Sequence, residues 1–488
     1  MQSKQPAQPV GGAGGVTRRQ SLKAAASFLI LPAGLARGYA ANEKLNLGIV
    51  GLTGMGGVDA KTFSGLGENI AALCDVDTKI LDKRGAEYPS ARKYTDFRQM
   101  IEKEKLDGIG VAVPDHNHAY ISVYAMRHGL NVYCQKPLCK SVHEARIMAR
   151  VAAETKVVTQ MGTQTSAEPT VLRTVELIQS GAIGEITEIH MTTDRPIWPQ
   201  GYDRPEGEDV VPDTLDWDLW LGTAPRRPFR GRWPEGHAVF SPEKKRQFAA
   251  NGTVYHPFSW RGWWDFGSGA LGDIAPHSMN VIFLALDLGA PQAVEIVDTS
   301  GMKKEMFPDW TTLCFKWPAR GVHPALSVYW YDGGQPLPAE LQAPGSGAPP
   351  APGEPLRAGQ GGTVWIGTKG SYPAGRGPFA GKNAETPPPP EREWGREEVH
   401  KDWVMAVKAG KPAPCHFGYA GPFTEAYQLG NIALRIGHRI EWDALDFRIV
   451  NCAEANQYLI REYRRGWDLK EIAGRAWDVR RPEAVRKP

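Results

Sequence analysis

No stretch of this chain stays apolar for long enough to span a bilayer. The longest run, Ala24 to Ala36, is short and carries Pro32 and Gly34 inside it. A basic stripe is also missing. With 57 Lys+Arg against 54 Asp+Glu over 488 residues, the formal net charge is +3, which argues against nucleic acid as the main partner. The six cysteines, Cys74, Cys134, Cys139, Cys314, Cys415 and Cys452, form no C-x-x-C pair and no dense framework. Cys74 and Cys134 sit in apolar, strand-like runs and read as inert core thiols. Glycine (54) and proline (39) are raised but not periodic, which excludes a collagen-like repeat, and no solenoid period is present. None of the 16 tryptophans precedes Trp198, yet seven lie between Trp198 and Trp264. Such a break indicates a boundary near residue 165, in a chain too long for one core.

Acid is absent from residues 1–40, which hold Lys4, Arg18, Arg19, Lys23 and Arg37. A basic region with paired arginines, a short apolar region and small residues around Gly38-Tyr39-Ala40 read as a twin-arginine-type export signal. That route carries folded proteins, which suits a protein that acquires a soluble cofactor before export, to the periplasm or otherwise out of the cell. Beyond this segment the balance is 52 basic against 54 acidic residues, nearly neutral.

From Leu45 onward, short apolar strands alternate with stretches of helical length. The expected strands are Leu45–Val50, Asn69–Cys74, Gly108–Val113, Asn131–Cys134 and Lys156–Met161, with a helix such as His143–Ala153 between two of them. This alternation predicts an α/β fold over 41–165, a parallel sheet covered on both faces, with ligands at the carboxyl ends of its strands. The first strand runs into Gly51-Leu52-Thr53-Gly54-Met55-Gly56-Gly57. Gly51 permits the tight turn, Gly56 lets the next helix approach the sheet, and that helix's first N–H groups suit a pyrophosphate. Thr53 replaces the middle glycine of the dinucleotide fingerprint, with Gly54 beside it to relax the loop. The second strand ends at Asp75, where a carboxylate accepts from a ribose diol and repels a 2′-phosphate, favouring NAD over NADP.

Two further loops follow strand ends of the same sheet, Val113-Pro114-Asp115-His116-Asn117-His118 and Cys134-Gln135-Lys136-Pro137. His116 and His118 have no acidic or cysteine partners at ligand spacing, so hydrogen bonding near the cofactor is expected of them, and no metal. Lys136 falls where a nicotinamide should lie. The cofactor side is thus expected to draw on Gly51, Thr53, Gly54, Met55, Gly56, Asp75, Pro114, His116, His118, Gln135, Lys136 and Gln164.

The glycine loop, Pro-Asp-His-Asn-His, Gln-Lys-Pro and a later Gly272-Asp273-Ile274-Ala275-Pro276-His277 together resemble the glucose–fructose oxidoreductase/inositol dehydrogenase (Gfo/Idh/MocA) family, over about residues 44 to 470. Relatives usually carry Glu-Lys-Pro where this chain has Gln135-Lys136-Pro137. Asp273 and His277 are four apart in an apolar helix expected over Ile274 to Leu288, with Asp273 as its N-cap and Pro276 in its first turn. The resemblance implies that Lys136, Asp273 and His277 meet around a sugar or polyol hydroxyl. His277 would take the proton, Lys136 would polarise the oxygen, and hydride would pass to NAD. It also implies a homo-oligomer.

Residues 166–488 are expected to form a substrate-binding α+β domain with a large, mainly antiparallel open sheet. Its strands are Glu185–Thr193, Ala293–Asp298, Thr311–Trp317, Ala325–Tyr331 and Thr363–Ile366. Pro338 to Gly362 and Thr386 to Pro390 read as exposed insertions, and His400–Ala409, Phe423–His438 and Asn451–Tyr463 as helices packed back on the sheet, with Arg461 to Arg465 a solvated basic end. Aromatic faces stack on sugar C–H faces and arginine binds hydroxyls or carboxylates. Arg195, Trp198, Tyr255, Arg261 and Trp264 are therefore the substrate-side candidates. The activity expected is oxidation of a secondary hydroxyl of a small carbohydrate or polyol. The alternatives are a glycosidase that oxidises transiently with tightly held NAD, and a sugar-binding protein that keeps NAD without chemistry.

Overall fold

The computed structural model of the chain describes residues 43–244, 252–341, 361–376 and 396–480. Residues 1–40, where an export signal is expected, most of Pro338 to Gly362 and all of Thr386 to Pro390 lie outside the described residues.

Six short strands, β1 (Asn46–Val50), β2 (Asn69–Cys74), β3 (Arg92–Tyr94), β4 (Gly108–Val111), β5 (Asn131–Gln135) and β6 (Thr159–Gly162), form one sheet in the order β3-β2-β1-β4-β5-β6. All five pairings are parallel. The central strands are buried along nearly their whole length, as a sheet covered on both faces requires. The helices that follow are α1 (Met55–Gly65), α2 (Thr78–Glu87), α3 (Phe97–Lys103), α4 (Asp115–Arg127) and α5 (Val142–Thr155). Side chains fix three of their starts: Asp77 accepts from Lys79 N, Asp96 from Arg98 N, and Ser141 with Glu144 forms a reciprocal capping box. Strand order reverses between β1 and β4, and this opens the crevice that Gly51 and Val113 enter. The edge strand β3 is three residues long and carries Arg92 and Lys93, so it has no apolar alternation to betray it.

After α6 (Pro169–Gln179) comes β7 (Ile186–Thr193), then α7 (Trp217–Leu221) and α8 (Gly269–Leu286). The next strands are β8 (Ala293–Thr299), β9 (Thr311–Trp317), β10 (Leu326–Tyr331), β11 (Gly361–Gly367) and β12 (Gly370–Arg376). The chain ends with α9 (Arg396–Ala409), α10 (Phe417–Ile436), β13 (Ile440–Asp443), β14 (Arg448–Ile449) and α11 (Leu469–Ala473). The second sheet has eight strands in the order β12-β11-β7-β10-β9-β8-β13-β14. Only β7 and β10 run parallel; the other pairs are antiparallel. Trp330, Trp365 and Phe315 from this sheet share one hydrophobic core with α8, α10 and the β4–β5 half of the first sheet.

Four expectations are corrected. Helix α8 begins at Gly269, whose φ of 64° turns the chain into the helix, so Asp273 lies inside it and Pro276 is an interior proline. Helix α9 packs on the first sheet, where Val399 and Trp403 share an apolar cluster with Phe63 and Tyr133. Asn451–Tyr463 contains only a short 3-10 turn, Glu454–Tyr458. Arg461 is not solvated: it donates to the His116 carbonyl and to Glu144, and Arg464 to the Gly222 carbonyl, so both guanidiniums tie the C-terminal segment down.

Candidate active site

The first wall of the site is set by backbone geometry. Gly51 has φ 83°, and a methyl group there would overlap the Ala112 carbonyl. At Gly56 a methyl group would overlap the Gly51 carbonyl oxygen, so only glycine lets α1 start this close to β1. Gly54, with φ 51°, precedes α1 and supplies no side-chain cap; Gly56 N–H donates to the Thr53 carbonyl at 3.0 Å, and the helix's positive end is left to face an anion. Asp75 pins the loop: one carboxylate oxygen accepts from Leu52 N at 2.9 Å and the other from Asp77 N at 3.0 Å. Burial pushes its pKa up against those two bonds. Each oxygen keeps a lone pair for a ribose hydroxyl, so the expected role and this structural one coexist.

A cavity of about 600 Å³ follows this wall and is closed by residues distant in sequence. Gly51, Thr53, Gly54, Met55, Asp75, Pro114, His118, Gln135 and Lys136 all line it, as does Asp115. The opposite side comes from His256, Pro257, Phe258, Trp260 and Arg261, and one end from Trp467 beside Thr95, Asp96 and Phe97. The two sides are tied together where His256 Nε2 approaches Asp77 at 3.3 Å and where Thr78 N donates to the Thr214 carbonyl.

At the inner face Lys136 Nζ donates to Asp273 twice, to the carbonyl oxygen at 2.7 Å and to Oδ1 at 2.8 Å. Pro276 has no N–H to offer the Gly272 carbonyl, one residue before the carbonyl on which the lysine docks. Burial works to raise the Asp273 pKa, but Lys136, then Arg261 and Arg195, hold it well below the usual carboxylate range. Arg261 Nε stands 3.5 Å from Oδ1 and Arg195 Nε 3.6 Å from Oδ2. His277, one turn along α8, meets Thr165 Oγ1 through Nδ1 at 3.1 Å. The structure thus joins Lys136 and Asp273 directly, and it sets His277 on the same helix against the turn that follows β6.

Several other candidates are placed differently. His116 does not line the cavity. Its ring nitrogens face the carbonyls of Phe266 and Trp220, and burial and Arg461 push its pKa down to about 3. A neutral ring donates once, so His116 acts as a pin between the domains. His118 lines the cavity, and its ring nitrogens reach the Pro137 and Val113 carbonyls and fix the lysine loop. Trp198 and Tyr255 are fully buried, the first donating to Gln200 and the second accepting from Arg204. Trp264 packs on Phe307, with its indole N–H on the Lys303 carbonyl. These three large aromatics fill the second domain's core because so much apolar area is stable only out of water. From the stretch just before α8, the aromatics that line the cavity are Phe258 and Trp260.

Gln135 accounts for its own departure from Glu-Lys-Pro. Its amide donates to both oxygens of Asp59, at 2.8 and 2.9 Å, and its carbonyl accepts from Gln164. Asp59 is fully buried on α1 and also takes His400 Nε2 at 2.8 Å. A glutamate at 135 would set a second carboxylate against Asp59, so the amide is the residue this buried network needs. Gln164 therefore acts behind the cavity wall. Asp59, Asp115, His256, Phe258, His400 and Trp467 were not expected. Asp115 alone stood in plain view, inside the loop whose histidines drew attention.

Among the described residues no group of three or more His, Cys, Asp or Glu could hold a metal ion, and no helix is long and apolar enough to cross a membrane.

Comparison with known proteins agrees with this geometry. Residues 45–163 match the family described as "Oxidoreductase family, NAD-binding Rossmann fold", and residues 197–326 match its "C-terminal alpha/beta domain". An inositol 2-dehydrogenase of Rubrobacter xylanophilus is 30% identical over 151 residues, 29% of this chain and 42% of that protein. A glycosyl hydrolase family 109 protein of Bacteroides fragilis is 28% identical over 154 residues, 30% of this chain and 36% of the other. The chain thus spans less than half the length of these curated relatives. In fold it is similar to the WlbA dehydrogenase from Bordetella pertussis, solved with NADH and UDP-GlcNAcA, with TM-score 0.55 at 15% identity over 82% of this chain and 99% of that one. By both of its matched domains, the chain belongs to the Gfo/Idh/MocA oxidoreductase family, and its first domain is that family's NAD-binding Rossmann fold.

Proposed function

We propose that the protein is an NAD-dependent oxidoreductase that oxidises a secondary hydroxyl of a sugar, polyol or glycoside. The observation that carries this reading is the Lys136–Asp273 pair at the inner face of a cavity bounded by the glycine loop. The loop residues fit the cofactor, since Gly51, Gly56 and the open start of α1 leave room and donors for a pyrophosphate, and Asp75 remains able to accept from a ribose. NAD, when bound, supplies the hydride acceptor. Lys136 spends two of its three N–H bonds on Asp273 and directs its charge at the substrate oxygen. Asp273, kept ionised by its three cations, fixes that lysine in place. The substrate C–H leaves with its electron pair, the hydroxyl proton passes to His277, and a carbonyl remains. The wall of His256, Pro257, Phe258 and Trp260 excludes water from this step.

The glycosidase reading shares every one of these groups and is favoured by the glycosidases among the relatives. One experiment separates them. Purified protein is incubated with NAD and a panel of free sugars, polyols and glycosides, and reduced cofactor and products are followed. Stoichiometric reduced cofactor with a keto product is expected. Release of aglycone without net reduction overturns the dehydrogenase in favour of the hydrolase, and inertness across the panel removes both. We also infer, from residues 1–40, export by the twin-arginine route, and, from the family, a homo-oligomer. Cell fractionation and light scattering check these two points.

A further inference from the structure

Around Asp273 three cations face few acids. Arg195 is satisfied, with Nη1 on Asp194 at 2.7 Å and Nε near Asp273 Oδ2. Lys136 holds Asp273 Oδ1 at 2.8 Å. Arg261 comes second to that same oxygen, at 3.5 Å through Nε, too long for a good hydrogen bond. Its one hydrogen bond among the described residues runs from Nη1 to the Phe258 carbonyl at 3.2 Å. The guanidinium is nonetheless fixed, its carbon 4.2 Å from the Trp260 ring and 4.4 Å from the Phe258 ring. Arg261 lines the cavity, so a stacked guanidinium presents its remaining donors there, and the carboxylate nearest it, Asp273, is shared with Lys136 and Arg195. The acid facing it from the first-domain wall, Asp115, is buried, and desolvation pushes its pKa up to about 7 despite Arg261. It offsets the arginine only in part.

We propose that the substrate of this site is an acidic sugar, a uronic or aldonic acid, whose carboxylate is bound by Arg261 while Lys136 receives the hydroxyl to be oxidised. A neutral hydroxyl would leave the guanidinium only partly compensated, by an Asp273 it shares with two other cations, whereas a carboxylate matches its planar fork and its single charge. A phosphate dianion would exceed that charge. The proposal rests on the oxidoreductase reading above, and the test separates the two.

Three matched pairs serve as probes: D-glucuronate with D-glucose, D-galacturonate with D-galactose, and D-gluconate with D-glucitol. Turnover is measured with NAD, and binding to the NAD-loaded protein by calorimetry. For at least one pair kcat/KM is expected to favour the acid by about tenfold or more, equivalent to about 1.4 kcal/mol. In Arg261→Met this ratio should fall toward one, with Arg261→Lys between. Neutral members turned over as well as or better than the acids would overturn the acidic-substrate proposal and leave the dehydrogenase standing. An unchanged ratio in Arg261→Met would overturn the assignment to Arg261. Absence of both reduction and binding with every probe would overturn the dehydrogenase reading and this proposal with it.

Discussion

The two walls of the cleft are built by different means. On the first-domain side, position is imposed by the backbone: Gly51 and Gly56 permit approaches no other residue allows, and Asp75 pins the loop through N–H groups. On the opposite side, position is imposed by side chains from far-apart stretches: Arg261 lines the cavity, held by aromatic stacking and by an ion pair to Asp273, which Arg195 also approaches. A backbone wall tolerates side-chain change and fails at glycine. A side-chain wall tolerates backbone change and fails at charge. Lys136 stands where they meet, rooted in one and bonded to the other.

The largest effect should therefore fall at the junction. Lys136→Ala is expected to lower kcat by ~10³-fold or more, the range of a positioned proton-handling group, while NAD still binds. Steady-state kinetics beside a cofactor titration check this, and retained turnover would remove the proposed centre. Within the backbone wall, Gly56→Ala should do the reverse. Its methyl group collides with the Gly51 carbonyl, so the loop must open, and NAD affinity should fall by about 100-fold or more, about 2.7 kcal/mol, before any chemistry is affected. If Gly56→Ala binds NAD normally, the first wall is not set by backbone closeness.

Legibility followed the same division. The first sheet, its crevice, the glycine loop and Asp75 were readable because their residues are close in sequence and each glycine answers a local steric demand. Asp273 and His277 were readable as an i, i+4 pair, but the start of their helix was not: Gly269 opens it early, and Pro276 looked like a first-turn residue when it is an interior one. Trp198, Tyr255 and Trp264 were assigned to substrate on chemical type, and burial claimed them instead. Trp467 and His400 carry no local signal, since what places them is the return of the C-terminal chain onto the first domain. Gln135 was visible as a departure, yet its reason, the buried Asp59, lies 76 residues away.

Asp115 belongs to the backbone wall but answers to the charges of the other. Its carboxyl has a folded pKa raised to about 7 by burial, so the folded state holds the proton more tightly than the unfolded state. Stability from this group is present below its unfolded pKa, about 3.9, and is lost as pH rises through about 7. Asp115→Asn removes the titration. The stability of the variant relative to the native protein should climb between about pH 4 and pH 7 and then level, by roughly 1–4 kcal/mol in total. Denaturant unfolding at a series of pH values reads this directly, and a flat difference would mean the side-chain wall keeps Asp115 ionised.

The smallest effect is expected at Thr53, and it sharpens the contrast most. Thr53 takes the place of the fingerprint's middle glycine, but its side chain is exposed, and the left-handed turn is made next door by Gly54. If the backbone wall depends only on glycines that meet a steric demand, Thr53→Gly gains nothing for the cofactor. NAD affinity should then stay within about twofold, well under 1 kcal/mol. The fold should lose ~0.5–1 kcal/mol, because a glycine has more unfolded freedom to give up. A clear rise in NAD affinity would show instead that the threonine methyl, and not the sheet-to-helix approach at Gly56, limits how closely the pyrophosphate can sit.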